Sequence, residues 1–231
     1  MRMSIRRSDA RGAADHGWLK TQHSFSFAGY YDPAHMGFGP LRVINQDRVA
    51  PGRGFGTHGH RNMEIISYVV DGALAHRDSM GTGSVIRPGE VQLMSAGTGV
   101  THSEMNASRE EGVHFLQIWI LPDVAHTAPR YDQKAFPRTG DGLQLVVSPD
   151  GRAGSLRMQQ NADLYRVQLT AGGTAEHVVA RRRSWVQVVK GTLTVRGALL
   201  QPGDGLAIEG ADRLPMQAGD SEVEALLFDL P

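Results

Sequence analysis

The sequence predicts an all-β protein, and three observations support this prediction. Glycine is abundant at 28 residues and, together with 11 prolines, recurs every few residues between short runs rich in Val, Ile and Leu. This spacing is typical of short strands joined by turns. No segment shows a clear amphipathic helical period. The two halves of the chain also resemble each other weakly, which favours two copies of one β domain.

Strands in the first half are predicted from apolar runs bounded by turn residues. After an alternating segment at 23–27, we expect strands at 41–45, 63–70, 74–78, 91–94 and 113–121. Asp71-Gly72 predicts a hairpin between the second and the third of these. Gly52, Gly54 and Gly56 indicate a segment where the backbone lies close to other atoms.

The second half repeats the strand pattern after a polar segment. Residues 122–142 lose the apolar pattern and contain three prolines, so we interpret them as a linker. Further strands are expected at 143–147, 164–169, 185–189, 193–195 and 223–228. The predicted domains are therefore residues 1–130 and residues 131–231.

Composition excludes several classes of function. Lys plus Arg equals Asp plus Glu at 24 each, so neither direct nucleic-acid binding nor attachment to a membrane surface is indicated. The one dense basic run, residues 181–183, is interpreted as a solvated strand edge. The chain has no cysteine, which excludes disulfides and thiolate metal sites. With no apolar signal segment or membrane-length run, we expect a soluble cytoplasmic protein.

Two short histidine-containing pairs carry the predicted chemistry. His58-Gly-His60 is followed closely by Glu64, and His102-Ser-Glu104 lies further along the chain. Residues two apart on a strand point to the same face, so each pair can direct two side chains into one barrel. Three imidazoles and a carboxylate would form a mixed nitrogen and oxygen site for a divalent transition metal. Glu64 is an alternative ligand, but we favour a supporting role because the other four suffice.

The internal repeat has lost most of these candidate ligands. Gly72 aligns with Gly191, and the same offset places His177 opposite His58. The positions opposite His60, His102 and Glu104 carry apolar residues, namely Val179, Met216 and Ala218. We therefore predict that the second copy keeps the barrel pattern without a complete metal site.

These motifs resemble the pirin family of two-domain cupins. Gly52, His58, His60 and Glu64 match the first cupin motif, although Gly72 lies one residue late. Gly99, His102 and Asn106 match the core of the second motif, although Gly97 replaces its proline. More specific pirin-like blocks cover most of the first half, namely HGWL, HSFSFA, YYDP, MGFGPLRVIN, FGTHGHRNMEI and MSAGTGVTHSEMN.

The resemblance implies a bicupin fold, with two tandem jelly-roll (RmlC-like) β-barrels and a degenerate second barrel. It also implies that His58, His60, His102 and Glu104 are the metal ligands. Some bacterial members of the family resemble quercetin 2,3-dioxygenases, which open a flavonol with dioxygen and release carbon monoxide. Other members are described as metal-dependent transcriptional cofactors, so the family name alone does not decide the function.

Two functional hypotheses follow from this resemblance. In the first, the protein is a dioxygenase for a small aromatic substrate, with one metal per chain activating the flavonol 3-hydroxyl and Glu104 as the general base. Fe(II) is preferred because dioxygen chemistry requires a redox-active ion, although Zn, Ni, Cu, Mn and Co suit the same donors. In the second, the metal shapes a surface for a protein partner without turnover. An open metal position beside an apolar pocket would favour the first hypothesis.

The remaining histidines and aromatic residues are given structural roles. A lone histidine is more often hydrogen-bonded within the fold than a ligand, which applies to His23, His35, His76, His114 and His126. Three aromatic residues are predicted to be core rather than a substrate-stacking surface, namely Phe25, Phe27 and Trp119.

Overall fold

The structure, a computed structural model, describes residues 1–231 and confirms the predicted all-β class. Its only helical segments are two 3-10 turns, at Ser8–Ala10 and Arg152–Gly154, and no helix is long and apolar enough to cross a membrane. The strands of the first part are β1 (Arg2–Arg6), β2 (Gly12–Asp15), β3 (Leu19–His23), β4 (Leu41–Val49), β5 (Gly54–His60), β6 (Glu64–Asp71), β7 (Leu74–Asp78), β8 (Gly83–Ile86), β9 (Glu90–Ser95), β10 (Val100–Asn106), β11 (Val113–Ile120) and β12 (Arg130–Ala135). Those of the second part are β13 (Gly142–Ser148), β14 (Leu156–Arg157), β15 (Asp163–Leu169), β16 (Thr174–Val178), β17 (Arg183–Lys190), β18 (Leu193–Val195), β19 (Ala198–Leu200), β20 (Gly205–Glu209), β21 (Arg213–Ala218) and β22 (Val223–Leu230).

The first compact unit comprises Gly12–Pro137 and Met158–Gln160. Its larger sheet has seven strands in the order β12-β9-β6-β11-β4-β3-β2, and its smaller sheet has four in the order β5-β10-β7-β8. The central strands β6 and β11 are buried at nearly every position, as their almost continuous apolar sequences predict. The smaller sheet carries both candidate ligand pairs.

The second compact unit comprises Met1–Arg11, Arg138–Arg157 and Asn161–Pro231. Its sheets follow the orders β1-β20-β17-β22-β15-β13-β14 and β16-β21-β18-β19. The smaller sheet and the inner strands of the larger sheet therefore repeat the order of the first unit, which agrees with the weak internal repeat in the sequence. The edge strands differ, since β13 and β14 are parallel whereas β2 and β3 are antiparallel. The two-barrel fold class is confirmed.

Two edge strands depart from the sequence interpretation. The predicted linker 122–142 contains the change from one compact unit to the other at residues 137 and 138, but it also contains β12, which pairs with β9 along its whole length. The N-terminal β1 pairs with β20 of the second unit. β12 shows no clear apolar alternation and has no buried residue, whereas in β1 the apolar Met3 and Ile5 alternate with polar residues over only five positions. The division at residues 130 and 131 stays a prediction, although the compact units place residues 1–11 with the second half.

The interiors of the two units differ in polarity. In the second unit one apolar cluster joins both sheets and includes Leu214, Met216 and Ala218 on β21. In the first unit apolar residues form separate clusters, around Phe115 and around Met94. β10 occupies the place of β21 in the sheet order but carries His102 and Glu104. The first unit thus has polar side chains where the second unit has part of its apolar core. Burying polar side chains costs free energy unless they are hydrogen-bonded or paired with an ion.

Candidate metal centre

Antiparallel pairing of β5 and β10 brings the two histidine pairs together. His102 lies directly opposite His58, while Glu104 lies opposite Phe55 because β5 carries an extra residue in between. A bulge of this kind redirects side chains on an otherwise regular strand. On its other side β10 pairs with β7, where Glu104 lies opposite His76.

Three imidazoles form a compact cluster at this position. One donor atom each from His58, His60 and His102 lies within 4.8 Å of the others. The Nε2 atoms of His58 and His102 are 3.1 Å apart, and the ring centroids of all three pairs are 4.5–4.8 Å apart. His102 is buried at 1% exposure, whereas His58 is exposed. The cluster therefore lies between the barrel interior and solvent.

The protonation of the imidazoles suits metal ligation. His58 Nδ1 lies 2.8 Å from the carbonyl oxygen of Gly56, which can only accept, so this nitrogen carries the proton. The lone pair is then on Nε2, the nitrogen that lies 3.1 Å from His102 Nε2. Burial, followed by the neighbouring His58, lowers the pKa of His60 to about 4. Burial and the neighbouring histidines lower the pKa of His102 to about 3. At neutral pH both of these rings are therefore uncharged, as ligands must be.

Glu104 is a buried carboxyl group held on both oxygens. It is 1% exposed, and it accepts hydrogen bonds from Ser67 Oγ at 2.9 Å and from Gln117 Nε2 at 2.5 Å. Burial raises the pKa of Glu104 to about 7, although both hydrogen bonds oppose this change. A carboxylate buried without a basic partner is costly, and a bound cation would offset that cost.

The four predicted ligands do not form a single group, since Glu104 joins the cluster through His102. Glu104, His102 and His76 make an overlapping group whose donor atoms also lie within 4.8 Å of one another. His76 Nε2 is 3.1 Å from the Asp78 carboxylate, and both side chains are fully buried. The sequence interpretation gave His76 a hydrogen-bonded structural role, which agrees with its contact to Asp78, but it missed the position of His76 beside His102 and Glu104. The available sequence signal was the spacing of His76 and Asp78, which are two residues apart and therefore face the same side of β7.

The donor set fits a divalent transition metal. Two nitrogens bound at right angles to one ion, each at about 2.1 Å, would lie about 3 Å apart, which matches the observed separation of the His58 and His102 Nε2 atoms, 3.1 Å. The uncharged ring of His102 and the buried carboxyl group of Glu104, which has no basic partner, also favour a divalent transition metal.

A cavity of about 230 Å³ adjoins this cluster, and both His58 and Glu104 line it. Its apolar lining includes Phe27, Phe55 and Trp119. Trp119 packs edge-on against His60 and Phe27, with ring centroids 5.0 and 5.3 Å apart. Phe27 and Trp119, predicted to be core residues, thus line the cavity, although Trp119 also packs against the apolar cluster around Met94. Phe25 is buried, as predicted.

Other singled-out residues lie outside the cluster. Glu64 accepts hydrogen bonds from Ser95 Oγ and the Gln159 backbone N–H, and belongs to neither donor group. His23 lines the cavity and bonds to Asn45. His114 contacts Gln46.

The rest of the predicted residues lie on the surface or in the second unit. His126 is exposed, His35 lies near Asp32, and His177 bonds to the buried Asp229. In the basic run, Arg181 and Arg183 form ion pairs with Asp163 and Glu209, so they are not simply solvated.

Comparison with known sequences identifies related families and proteins. The family described as Pirin matches residues 4–120, and the Quercetinase C-terminal cupin domain matches residues 145–230. A protein named quercetin 2,3-dioxygenase from Escherichia coli K12 is 50% identical over 228 residues, which cover 98% of both chains. A pirin-like protein from Caulobacter vibrioides is 42% identical and covers 96% of both chains.

Solved structures show the same similarity in three dimensions. The bacterial pirin YhhW from Escherichia coli, in complex with nickel(II), superposes with a TM-score of 0.95 at 48% identity, covering 100% of this chain and 99% of that one. A quercetin 2,3-dioxygenase from Acinetobacter baumannii superposes with a TM-score of 0.79 at 18% identity, covering 99% of this chain and 79% of that one. The second match supports the fold only.

Proposed function

This chain belongs to the pirin family, and from that premise we propose that it is a metal-dependent dioxygenase that cleaves flavonols such as quercetin. The observation that carries the proposal is the cluster of three imidazoles and a buried carboxyl group beside an aromatic-lined cavity. Relatives named quercetin 2,3-dioxygenase, similar over nearly the full chain, support the same reaction class.

The proposed metal ligands are His58, His60, His102 and Glu104. The 3.1 Å separation of the His58 and His102 Nε2 atoms, and the proton fixed on His58 Nδ1, support the histidine ligands. Glu104 fits as the carboxylate ligand because Ser67 and Gln117 orient both of its oxygens. We propose Fe(II) as the ion in the dioxygenase, and the nickel(II) complex of a relative supports a transition-metal site.

The residues of the chain have distinct roles in this reaction. A bound redox-active metal would acidify a coordinated hydroxyl group and supply reactivity toward dioxygen. Glu104 receives the proton of the substrate hydroxyl on a carboxylate oxygen, as a general base does. Ser67 and Gln117 hold that carboxylate in place. Phe27, Phe55 and Trp119 keep water away from the reacting substrate.

The alternative is a metal-binding protein that acts through a protein partner without turnover. A closed site with no adjoining space would have favoured it. The cavity beside His58 and Glu104 instead favours an enzyme, because a small molecule entering it would reach the donor cluster.

The deciding experiment is dioxygen uptake with quercetin, using protein stripped of metal and then reloaded with Fe(II). We expect uptake by the reloaded wild type and loss of most activity in His58→Ala. The matched control is His126→Asn, because His126 is an exposed histidine with a positive φ angle that asparagine tolerates. Stoichiometric metal binding without dioxygen uptake with any divalent ion would refute the dioxygenase and leave the partner-binding alternative.

A further inference from the structure

The wall of the cavity carries a buried acid that the proposed chemistry does not use. Asp47 lies on β4 and lines the cavity with Glu104, yet it is only 4% exposed. Its carboxyl group accepts a hydrogen bond from Thr21, while its Oδ1 atom has no partner. No basic side chain is among the groups that govern its ionisation.

Two buried acids of the second unit differ from Asp47: Asp163, whose Oδ1 also lacks a partner, is compensated by Arg152 and Arg181, and Asp229 is fully hydrogen-bonded. Asp229, buried in the second unit, receives hydrogen bonds on both oxygens from His177 Nε2 and from the backbone N–H groups of Ala180 and Arg181. Nearly all buried polar groups have such partners, because an unmet one costs free energy. The unmet oxygen of Asp47 at a cavity wall therefore indicates a group that a ligand completes.

The same wall has a second unmet polar atom. Trp119 Nε1 is buried without a hydrogen-bond partner, and Trp119 lines the cavity from β11, the strand beside β4. In the strand register Asp47 lies opposite Phe115, and Trp119 lies opposite Val43. The two groups therefore stand at different heights along one wall of a cavity that Phe27 and Phe55 also line. This pattern suits a flat molecule with oxygen atoms along its edge.

The ionisation of Asp47 is consistent with such contacts. Burial raises its pKa to about 7, against the Thr21 hydrogen bond, and the negative charge of Glu104 contributes further. A carboxyl group accepts a hydrogen bond when ionised and can donate one when protonated. It can therefore pair with a phenolic hydroxyl in either direction.

We propose that Asp47 is a specificity-determining residue, which hydrogen-bonds a ring hydroxyl of a polyhydroxylated aromatic ligand whose reacting hydroxyl lies near Glu104. The class of ligand rests on the proposed function. The new inference concerns substrate selectivity. Asp47 favours aromatic ligands that carry a second hydroxyl group remote from the one that reacts.

The test compares two ligands that share the reacting hydroxyl. Ni(II)-loaded protein is titrated under nitrogen with quercetin and with 3-hydroxyflavone, which lacks the other ring hydroxyls. We expect wild type to prefer quercetin by about tenfold or more, the equivalent of one good hydrogen bond. Asp47→Leu should lose most of that preference while binding 3-hydroxyflavone normally. Asp47→Asn, which still donates and accepts, should retain it.

The controls separate the outcomes. Gln46→Leu alters the neighbouring position of the same strand, which contacts His114 and does not line this cavity. Asp47→Ala provides the same comparison as Asp47→Leu if the leucine variant does not fold. An unchanged preference in folded, metal-loaded Asp47→Leu or Asp47→Ala would overturn the role of Asp47 but leave the dioxygenase intact, because dioxygen uptake by wild type measures the latter separately. Failure of wild type to bind either flavonol would overturn both.

Discussion

At the residue scale, the carboxylate of Glu104 depends on its neighbours. Ser67 Oγ bonds both to Glu104 and to Gln117 Oε1, so the three side chains form one buried network. Partners of this kind orient metal ligands and set their basicity. The sequence contains no local signal for this network, because its members lie on β6, β10 and β11, far apart along the chain.

Gln117→Leu tests the network. Loss of the Nε2 donor leaves one oxygen of Glu104 without its partner, so we expect the metal affinity to fall by about 10- to 100-fold. Competition with a chelator of known affinity measures the change. Gln46→Leu on the neighbouring strand is the control and should bind metal as wild type does. Equal affinities in all three proteins would show that Gln117 does not support the site.

Asp47 predicts a pH dependence of stability in the metal-free protein. Because its folded pKa is raised from 3.8 to about 7, Asp47 favours folding only at low pH, and this contribution is lost as pH rises through that interval. Asp47→Asn removes this titration. The free energy of unfolding of the variant, relative to that of wild type, should therefore rise by up to about 1.4 kcal/mol per pH unit. The gain should stop near pH 7. Urea unfolding at pH 5, 6, 7 and 8 measures the difference, and parallel curves would contradict the prediction.

At the element scale, the close approach of β5 to β10 requires glycine at one position. A Cβ atom added at Gly54 would lie 2.3 Å from the Glu104 carbonyl oxygen and 2.5 Å from the Met105 Cα atom. Both are backbone atoms, which cannot move aside without disturbing the strand pair. The glycine-rich approach to the first histidine pair, recognised in the sequence as a crowded segment, is thus explained at Gly54.

Gly54→Ala should therefore destabilise the protein by about 1–3 kcal/mol, the usual cost of overpacking, and lower the amount of Ni(II) bound. Thermal unfolding and metal analysis of the purified protein test both effects. Gly56→Ala is a closely matched control, because nothing lies within 4 Å of a Cβ atom at that position. Similar losses in both variants would indicate a general effect of alanine in β5 rather than the predicted collision.

At the scale of the whole molecule, the N-terminal strand completes the second unit. β1 covers β20, and its Met3 and Ile5 pack against the apolar cluster of that unit. Covering an edge strand protects its backbone groups from solvent and from pairing with other chains. No proposed metal ligand lies in this unit.

Removal of residues 1–6 should consequently expose β20 while leaving the metal stoichiometry at one per chain. We expect faster amide hydrogen exchange at Gly205–Glu209, whereas β17 amides that bond to β22 should change less. The truncation retains Arg7, whose ion pair with Asp204 is 2.7 Å long. Unchanged exchange in β20 would show that β1 is dispensable, and loss of metal would contradict the assignment of the site to the first unit.

The sequence by itself determined the all-β class, the repeated barrel pattern and the identity of the histidine-rich strands. These features depend on local periodicity and on residue types two positions apart, which are visible along the chain. Leu74–Asp78 was predicted at its observed bounds, but the predicted hairpin at Asp71-Gly72 was wrong, because β6 and β7 lie in different sheets. His58, His60 and His102 were singled out from their spacing and lie in one cluster.

Only the tertiary structure decided what surrounds that cluster. The edge strands β1 and β12, the place of His76 beside Glu104, and the cavity faces of Asp47, Phe27 and Trp119 depend on which strands become neighbours. Strand neighbours separated by tens of residues leave no periodic trace in either segment. An inward-facing strand position has the same sequence pattern whether its side chain contacts other side chains or lines a cavity. The difference between core and binding site therefore arises only when the sheets pack.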